Sequence, residues 1–416
     1  MSASIVITGI GAFTALGGTA AETRERFAAG ESGIRPIRRF DAAAFPCGWA
    51  AEAADPDAEA LGVPPRDARV TGPAGLRCLA AAREALGMAG LGFPLPEPET
   101  AGFFAAMGAP DPLPEDLAGA ARQVLPADPG AGPGRAMTSP DWPAFYAGAY
   151  REIHPLWPLG MLNNVVLSVV PSLLGVRGEN ALFAPAADAG VWAVAEAADA
   201  LREGRCTVAL AGGVNVPLSP LGLARAHIQA GIPERSIPGP EDEVVPGEGA
   251  AVLVLEAMES VNKRDARPLG IVSGWGFAAG ADPRRTARAA AKAALAAAGL
   301  TPGAVGRMVV VGGLNRHQDA MLARGAAKAA GRAGEGSDAL FPARALGNLE
   351  AASVPVAVAL ALEGSRVPAE LASPAPGEGG SAPGPSPAAN RLAPGPVLIV
   401  AGSPEGPCAA LVLTPC

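Results

Sequence analysis

Aromatic residues are scarce in this chain: Phe, Trp and Tyr together make up 4% of its 416 residues. A core without large rings has to be filled by aliphatic side chains and by backbones brought close together on Ala and Gly. Basic residues are in deficit as well, 32 Lys and Arg against 40 Asp and Glu, for a net charge of −8. That balance argues against a nucleic-acid binder, whose phosphate contacts need a basic surface. The five cysteines are odd in number, scattered and without a CxxC pair, so neither a disulfide framework nor a zinc cluster is expected. No apolar run approaches the roughly 20 residues of a membrane span. The first residues lack the basic-then-apolar order of a signal peptide, and the expected compartment is the cytoplasm. Histidine, the commonest general acid or base, occurs only at His154, His227 and His317. None lies in a sequence pattern with a Cys or Ser nucleophile; His154 and His227 read as structural positions, and His317, just after a strand, reads as a loop residue.

What the chain does have is 54 Gly, 43 Pro and 49% hydrophobic residues, enough for an ordered core. Apolar β-rich runs at Ser4–Gly9, Ala101–Met107, Glu179–Ala184, Cys206–Gly212 and Val252–Leu255 predict strands. Helical stretches at Thr19–Ala29, Leu76–Leu86 and Ala189–Glu203 lie between them, which indicates an α/β fold. The pattern then begins again. Strands are predicted at Gly270–Phe277, Arg307–Gly312, Val397–Ala401 and Ala409–Thr414, and helices at Arg284–Leu300 and Ser353–Glu363. Two similar halves are expected, residues 1–258 and 259–416. Ala109–Pro140 reads as a surface insertion, and 373–396 as a flexible low-complexity loop. The Gly9-Ile10-Gly11 triplet after the first strand is not a dinucleotide fingerprint, because Thr14 stands where the third glycine belongs; a tight turn is the expected role. No P-loop or HExxH is present, and no cofactor and no metal are expected.

Three segments carry a resemblance: 5–46 (IVITGIGAFTALGG…), 175–222 (GVRGENALFAPAADAG…) and 241–270 (EDEVVPGEGAAVLVLEAM…). In order and spacing they resemble the β-ketoacyl synthases, the condensing enzymes of fatty-acid and polyketide assembly. The resemblance implies a thiolase fold, a five-layer αβαβα sandwich of two similar halves, normally dimeric. It also implies a nucleophilic cysteine where a buried strand meets a helix N-terminus, since the helix dipole and backbone N–H groups there lower the thiol pKa and hold an oxyanion. Laid on that pattern, the nucleophile position is Ala187. The two histidine positions fall on Val311 and Asn348, and the lysine position falls on Ala343, beside Arg344. The gating loop near the C-terminus is Gly402–Gly406, without its phenylalanine. Asp188, next to Ala187, reads as a helix cap.

An emptied ketosynthase resembles the chain length factor, the ketosynthase β-subunit of type II polyketide synthases, which acts only beside an active sister subunit. The implied partners are a catalytic ketosynthase and, mainly through that partner, an acyl carrier protein. Implied interface residues are Asn164, Val165, Val169, Val170 and Leu173 on one helix and Ala181, Leu182, Phe183, Ala184 and Pro185 on the following strand. The helix could also line the subunit's own core. Implied tunnel residues are Gly108, Leu113 and Leu117. The competing expectation is an acyltransferase or thioesterase with relocated chemistry, using Cys408 and His317.

Overall fold

The computed structural model describes residues 3–45, 47–109, 115–125, 141–155, 157–160, 162, 164–230, 245–313, 315–332, 339–362 and 395–416. The loop expected at 373–396 therefore lies almost wholly outside the described residues. Among the described residues eleven strands occur: β1 Ile5–Thr14, β2 Ile34–Pro36, β3 Trp49–Ala51, β4 Ala101–Met107, β5 Asn180–Phe183, β6 Val208–Asn215, β7 Gly249–Ala257, β8 Gly270–Ala279, β9 Arg307–Val311, β10 Val397–Gly402 and β11 Pro407–Pro415. β2 and β3 pair as a small ribbon, and the other nine form one sheet ordered β5-β4-β6-β7-β1-β8-β11-β10-β9.

The order has a symmetry about the β1–β8 junction. Moving outward from β1, the neighbours β7 and β6 are antiparallel steps and β4 a parallel one. Outward from β8, β11 and β10 are antiparallel steps and β9 a parallel one. Even β5, parallel to β4 at one edge, has a counterpart in the parallel bridge of Leu340 to Val309 at the other.

Both faces of the sheet are covered, which is why its strands read as unbroken apolar runs rather than alternating ones. In β7, Ala251, Leu253 and Leu255 enter a central core while Ala250, Val252 and Val254 enter an outer one. In β11, Ala409, Leu411 and Leu413 enter the same central core and Cys408, Ala410 and Val412 a different outer one. The central core is filled by the helices Asp188–Arg202 and Ser353–Leu362; all ten residues of the latter are buried, as its all-round apolarity requires. The helix Pro65–Met88 covers the first half and Pro283–Ala297 with Arg316–Ala329 the second. Because the strands of both halves face this one central core and the sheet is continuous only through the short β1–β8 ladder, the layers run helix, half-sheet, helix, half-sheet, helix, the expected five.

Three expectations are corrected. Gly9 and Gly11 do not make a turn; they lie inside β1, where a Cβ would sit 1.9 Å from the carbonyl oxygens of Ala85 and Ala81. They let the covering helix lie flat on the strand. The Ala109–Pro140 stretch, expected as a non-globular surface insertion, carries a helix at Glu115–Val124. Leu76–Leu86 is part of a longer helix, Pro65–Met88, broken by the non-helical Gly72. Among the described residues no helix is long and apolar enough to cross a membrane, and no group of three or more His, Cys, Asp or Glu could hold a metal ion.

Candidate functional site

β5 ends at Phe183, the chain turns through Ala184–Ala186, and the helix Asp188–Arg202 begins with Ala187 at its N-cap position. Ala187 is 1% exposed and offers no capping side chain. It lines a small cleft together with Ala109, Pro185, Ala186, Arg225, Gly312, Asn348, Glu350, Pro404 and Glu405. The enclosed space is 20 Å³, about that of one water. Gly312, just after β9, holds φ 83°, and a Cβ there would stand 2.5 Å from Ala187 Cβ and 2.2 Å from the Gly402 carbonyl oxygen. Gly312 therefore packs its backbone directly against the Ala187 methyl group.

Polar groups remain around this space. Asn348 Oδ1 accepts from the Glu350 backbone N–H at 3.0 Å, and Asn348 itself follows Gly347, whose φ of 67° suits a residue without a Cβ. Glu350 has a positive φ of 41°, a strained backbone of the kind that collects at binding clefts. The Asn215 amide donates to the Gly247 carbonyl at 3.3 Å. Asp188 does not cap the helix by its side chain: its carboxylate accepts from the Ser403 hydroxyl, tying the helix start to the 402–406 loop. Glu350 and Arg225 were not legible as cleft residues, because both come from elements distant in sequence from Ala187.

Behind the cleft sits a buried carboxylate that sequence reasoning missed. Asp319, in the first turn of Arg316–Ala329, is 3% exposed, and burial pushes its pKa up to about 7 against the pull of Arg344, Arg316 and the Gly313 N–H. Arg344 lies over the Phe341 ring at 4.3 Å, and burial lowers its pKa while Asp319 opposes that shift. Val311 and Ala343, expected from the resemblance at a histidine and the lysine position, are 2% and 8% exposed; Val311 belongs to the central core and neither lines the cleft.

The relocated pair is not assembled. Cys408 is buried, its thiol pushed up to about 12 by burial and by the neighbouring Asp188 carboxylate. His317, expected in a loop, is instead exposed in the first turn of Arg316–Ala329, and no hydrogen bond joins it to Cys408. A protonated thiol without a base is no nucleophile. His227 is buried against the Phe45 ring with centroids 6.1 Å apart. Burial depresses its pKa, as expected of a structural residue.

Residues 2–260 match the family described as "Beta-ketoacyl synthase, N-terminal domain". The chain belongs to the β-ketoacyl synthase family. Among curated relatives of this ketosynthase-family chain, the 3-oxoacyl-[acyl-carrier-protein] synthase 2 of Coxiella burnetii is 27% identical over 283 residues, 66% of this chain and 62% of that protein. The "Tetracenomycin polyketide synthase ketoacyl synthase beta subunit" of Streptomyces glaucescens is 32% identical over 279 residues, 64% of this chain and 61% of that one. The chain thus covers less than two thirds of these relatives' lengths. Among solved structures, "The ishigamide ketosynthase/chain length factor" superposes with a TM-score of 0.75 at 23% identity, covering 100% of both chains. A β-ketoacyl synthase from Burkholderia phymatum gives 0.76 at 20%, again over 100% of both. These structural likenesses confirm the thiolase-like ketosynthase fold.

Within the ketosynthase fold, the expected interface residues separate into two sets. Val170 turns inward, 0% exposed, onto the helix Pro65–Met88 in this subunit's own core, alongside Val166 and Leu174. Asn164 is exposed, Val169 and Leu173 are half-buried, and the side chain of Val165 lies outside the described residues. On β5, Ala181, Leu182 and Phe183 are half-buried, and Ala184 and Pro185 are exposed. Of the tunnel residues, Gly108 is buried beside Asn215, Leu117 is half-buried on Glu115–Val124, and Leu113 lies outside the described residues.

Proposed function

We propose that this chain is a non-catalytic ketosynthase-like subunit, a chain length factor, that pairs with an active ketosynthase and shapes its acyl tunnel in type II polyketide biosynthesis. The observation that carries this reading is Ala187 at the helix start with Gly312 packed against its methyl group. Acyl transfer needs a thiolate there, and an alanine side chain supplies none. Two named similarities support it: one curated relative is a ketoacyl synthase beta subunit, and one structural neighbour is a ketosynthase/chain length factor. Residues 1–258 and 259–416 then act as two copies of one half, joined at β1 and β8, and the cytoplasm is the compartment where such a subunit meets its partner.

The surface supports pairing. Among the described residues β5 is an edge strand with only β4 beside it, which leaves its other side for strand addition. Phe183 of β5 stacks toward Trp192, and Trp192 lies 3.6 Å from Phe277 in a nearly parallel stack, yet it is 42% exposed. In a chain with so few rings, a partly exposed aromatic stack next to an open strand edge is a natural anchor for a partner. Asn164, Val169 and Leu173 of the preceding helix would extend that face, with Gly108 and Leu117 closing the tunnel.

The test is reconstitution. Alone, the chain should gain no acyl mass from acyl-phosphopantetheine thioesters. With a ketosynthase carrying Cys and both His it should co-elute as a heterodimer, and product length should depend on its presence. A covalent acyl adduct on this chain, or products unchanged in its absence, would overturn the reading.

A further inference from the structure

The β2–β3 ribbon carries a second cavity. Its pairs run Ile34 to Ala51, Arg35 to Ala50 and Pro36 to Trp49, and the Ile37 N–H donates to the Gly48 carbonyl at 2.8 Å. The inner side is anchored by Ile34, Cys47 and Ala51, which pack with Val245. Between Ile37 and Gly48 the chain loops outward and is braced by its own bonds. The Phe45 N–H donates to the Ala42 carbonyl at 3.0 Å, and the Ala43 N–H donates to Asp41 Oδ1 at 2.9 Å. Ile37, Phe40, Asp41, Phe45 and Trp49, with small residues between them, line a hollow of 350 Å³ that opens to solvent. That volume is of the size that takes small molecules. The hollow shares no residue with the Ala187 cleft, whose enclosed space is 20 Å³.

In a chain that is 4% aromatic, three rings stand around this one hollow. Phe40 and Phe45 meet edge to face, with centroids 6.1 Å apart and planes at 71°. All three rings are half-buried, which leaves part of each open to a ligand. Behind Phe45 stands His227, 8% exposed and with centroids 6.1 Å apart. Neither nitrogen of His227 has a hydrogen-bond partner, and burial lowers its pKa, so the wall behind Phe45 carries no positive charge at neutral pH. Asp41 is the charged residue of the lining. It is exposed, and beyond the bond from Ala43 its carboxylate makes no ion pair among the described residues. Cations close by in sequence are turned elsewhere: Arg39 is held by Glu248 at 2.7 Å, Arg35 folds back onto the Ile34 carbonyl at 2.7 Å, and Arg38 is exposed outside the lining.

We propose that this hollow binds a small organic ammonium ion, its apolar body among Phe40, Phe45 and Trp49 and its charge against Asp41. The faces of aromatic rings are electron-rich and attract cations, Trp most strongly, and the rim carboxylate adds a preference of the same sign. An anion would meet Asp41 with no cation in the lining to offset it. A lone carboxylate among rings offers too few oxygens to hold a bare metal ion. A neutral apolar ligand would fill the space and leave the carboxylate unused, and that difference is what the experiment reads.

The full-length chain is titrated with phenethylammonium and, separately, with its neutral analogue 2-phenylethanol, followed by saturation-transfer NMR. Expected is a Kd of about a millimolar or tighter for the ammonium, with the alcohol at least about fivefold weaker. D41N, whose amide oxygen still accepts from the Ala43 N–H, should weaken the ammonium about threefold and leave the alcohol unchanged. F40L/W49L keeps apolar bulk but removes two ring faces and should weaken the ammonium about tenfold. If that double variant fails to fold, D41N alone decides. Equal affinity for the alcohol and the ammonium, or no saturable binding of the ammonium, overturns the inference. So does ammonium binding undiminished in D41N. A lysine-containing peptide that binds more tightly than the free amine also overturns it, by assigning the hollow to the side chain of a protein partner.

Discussion

The two halves of the molecule use one packing device under different outer surfaces. In the first, Gly9 and Gly11 of β1 admit the helix Pro65–Met88; in the second, Gly274 and Gly276 of β8 admit Pro283–Ala297, where a Cβ would stand 2.6 and 2.4 Å from the carbonyl oxygens of Ala294 and Ala290. Each pair is a Gly-x-Gly on the strand next to the symmetry junction. Beyond that shared contact the halves diverge. The first-half helix is covered in turn by Val165–Leu174, whereas the second-half helix presents arginines to solvent. The sheet-facing side of each half is fixed by close backbone contact, and the outer side is free to specialise.

The halves also bury charge differently. In the first, Glu248 accepts from Arg39 at 2.7 Å, from Arg77 at 3.1 Å and from the Ala53 N–H at 3.2 Å, with Arg77 and Glu248 both 0% exposed. Arg77 also reaches Asp55 at 2.9 Å, so the network pins the 53–55 segment to the start of β7. In the second half Asp319 is held less completely and titrates near neutrality.

Substitutions can break this comparison at several points. The largest effect is expected from Glu248→Ala, which leaves buried Arg77 with only the exposed Asp55 carboxylate as counter-charge and should cost about 3–5 kcal/mol in urea unfolding. Next come Gly11→Ala and Gly276→Ala, each costing about 1–3 kcal/mol or more by overpacking, with Gly11 worse because its clash is closer. Equal costs would show that the two helices are seated alike. A third probe is pH. Folded Asp319 keeps a proton up to about 7 that the unfolded chain loses near 3.8, so its contribution to stability declines as pH rises between those values and is level above them. Asp319→Asn should therefore lose less stability than wild type between about pH 5 and pH 7.5, read from urea midpoints. The smallest effect is expected from Ala187→Cys. Without a histidine at position 311 or 348 it should leave acyl loading, followed by intact mass, unchanged.

Much of the fold was legible because its signals are local. Continuous apolar runs bounded by Gly located the strands of the large sheet to within a few residues, as with Ala101–Met107 and Val397–Gly402. The β-ketoacyl synthase family was legible too, from motifs in residues 5–46, 175–222 and 241–270 that lie within the matched 2–260. The Gly-x-Gly of β1 was misread because a strand glycine under a helix and a turn glycine look the same without the helix. Helix Glu115–Val124 was hidden by the Pro- and Gly-rich sequence around it.

By itself, then, the order of residues determined the alternation of strand and helix and the ketosynthase-like pattern, both of which depend on neighbours along the chain. Only the tertiary structure decided that Gly312 closes on Ala187, that Val170 faces inward, that Asp319 is buried and that His227 stands behind Phe45. Each of those depends on which distant segments meet, and local spacing carries no record of burial or of the electrostatic field that burial creates.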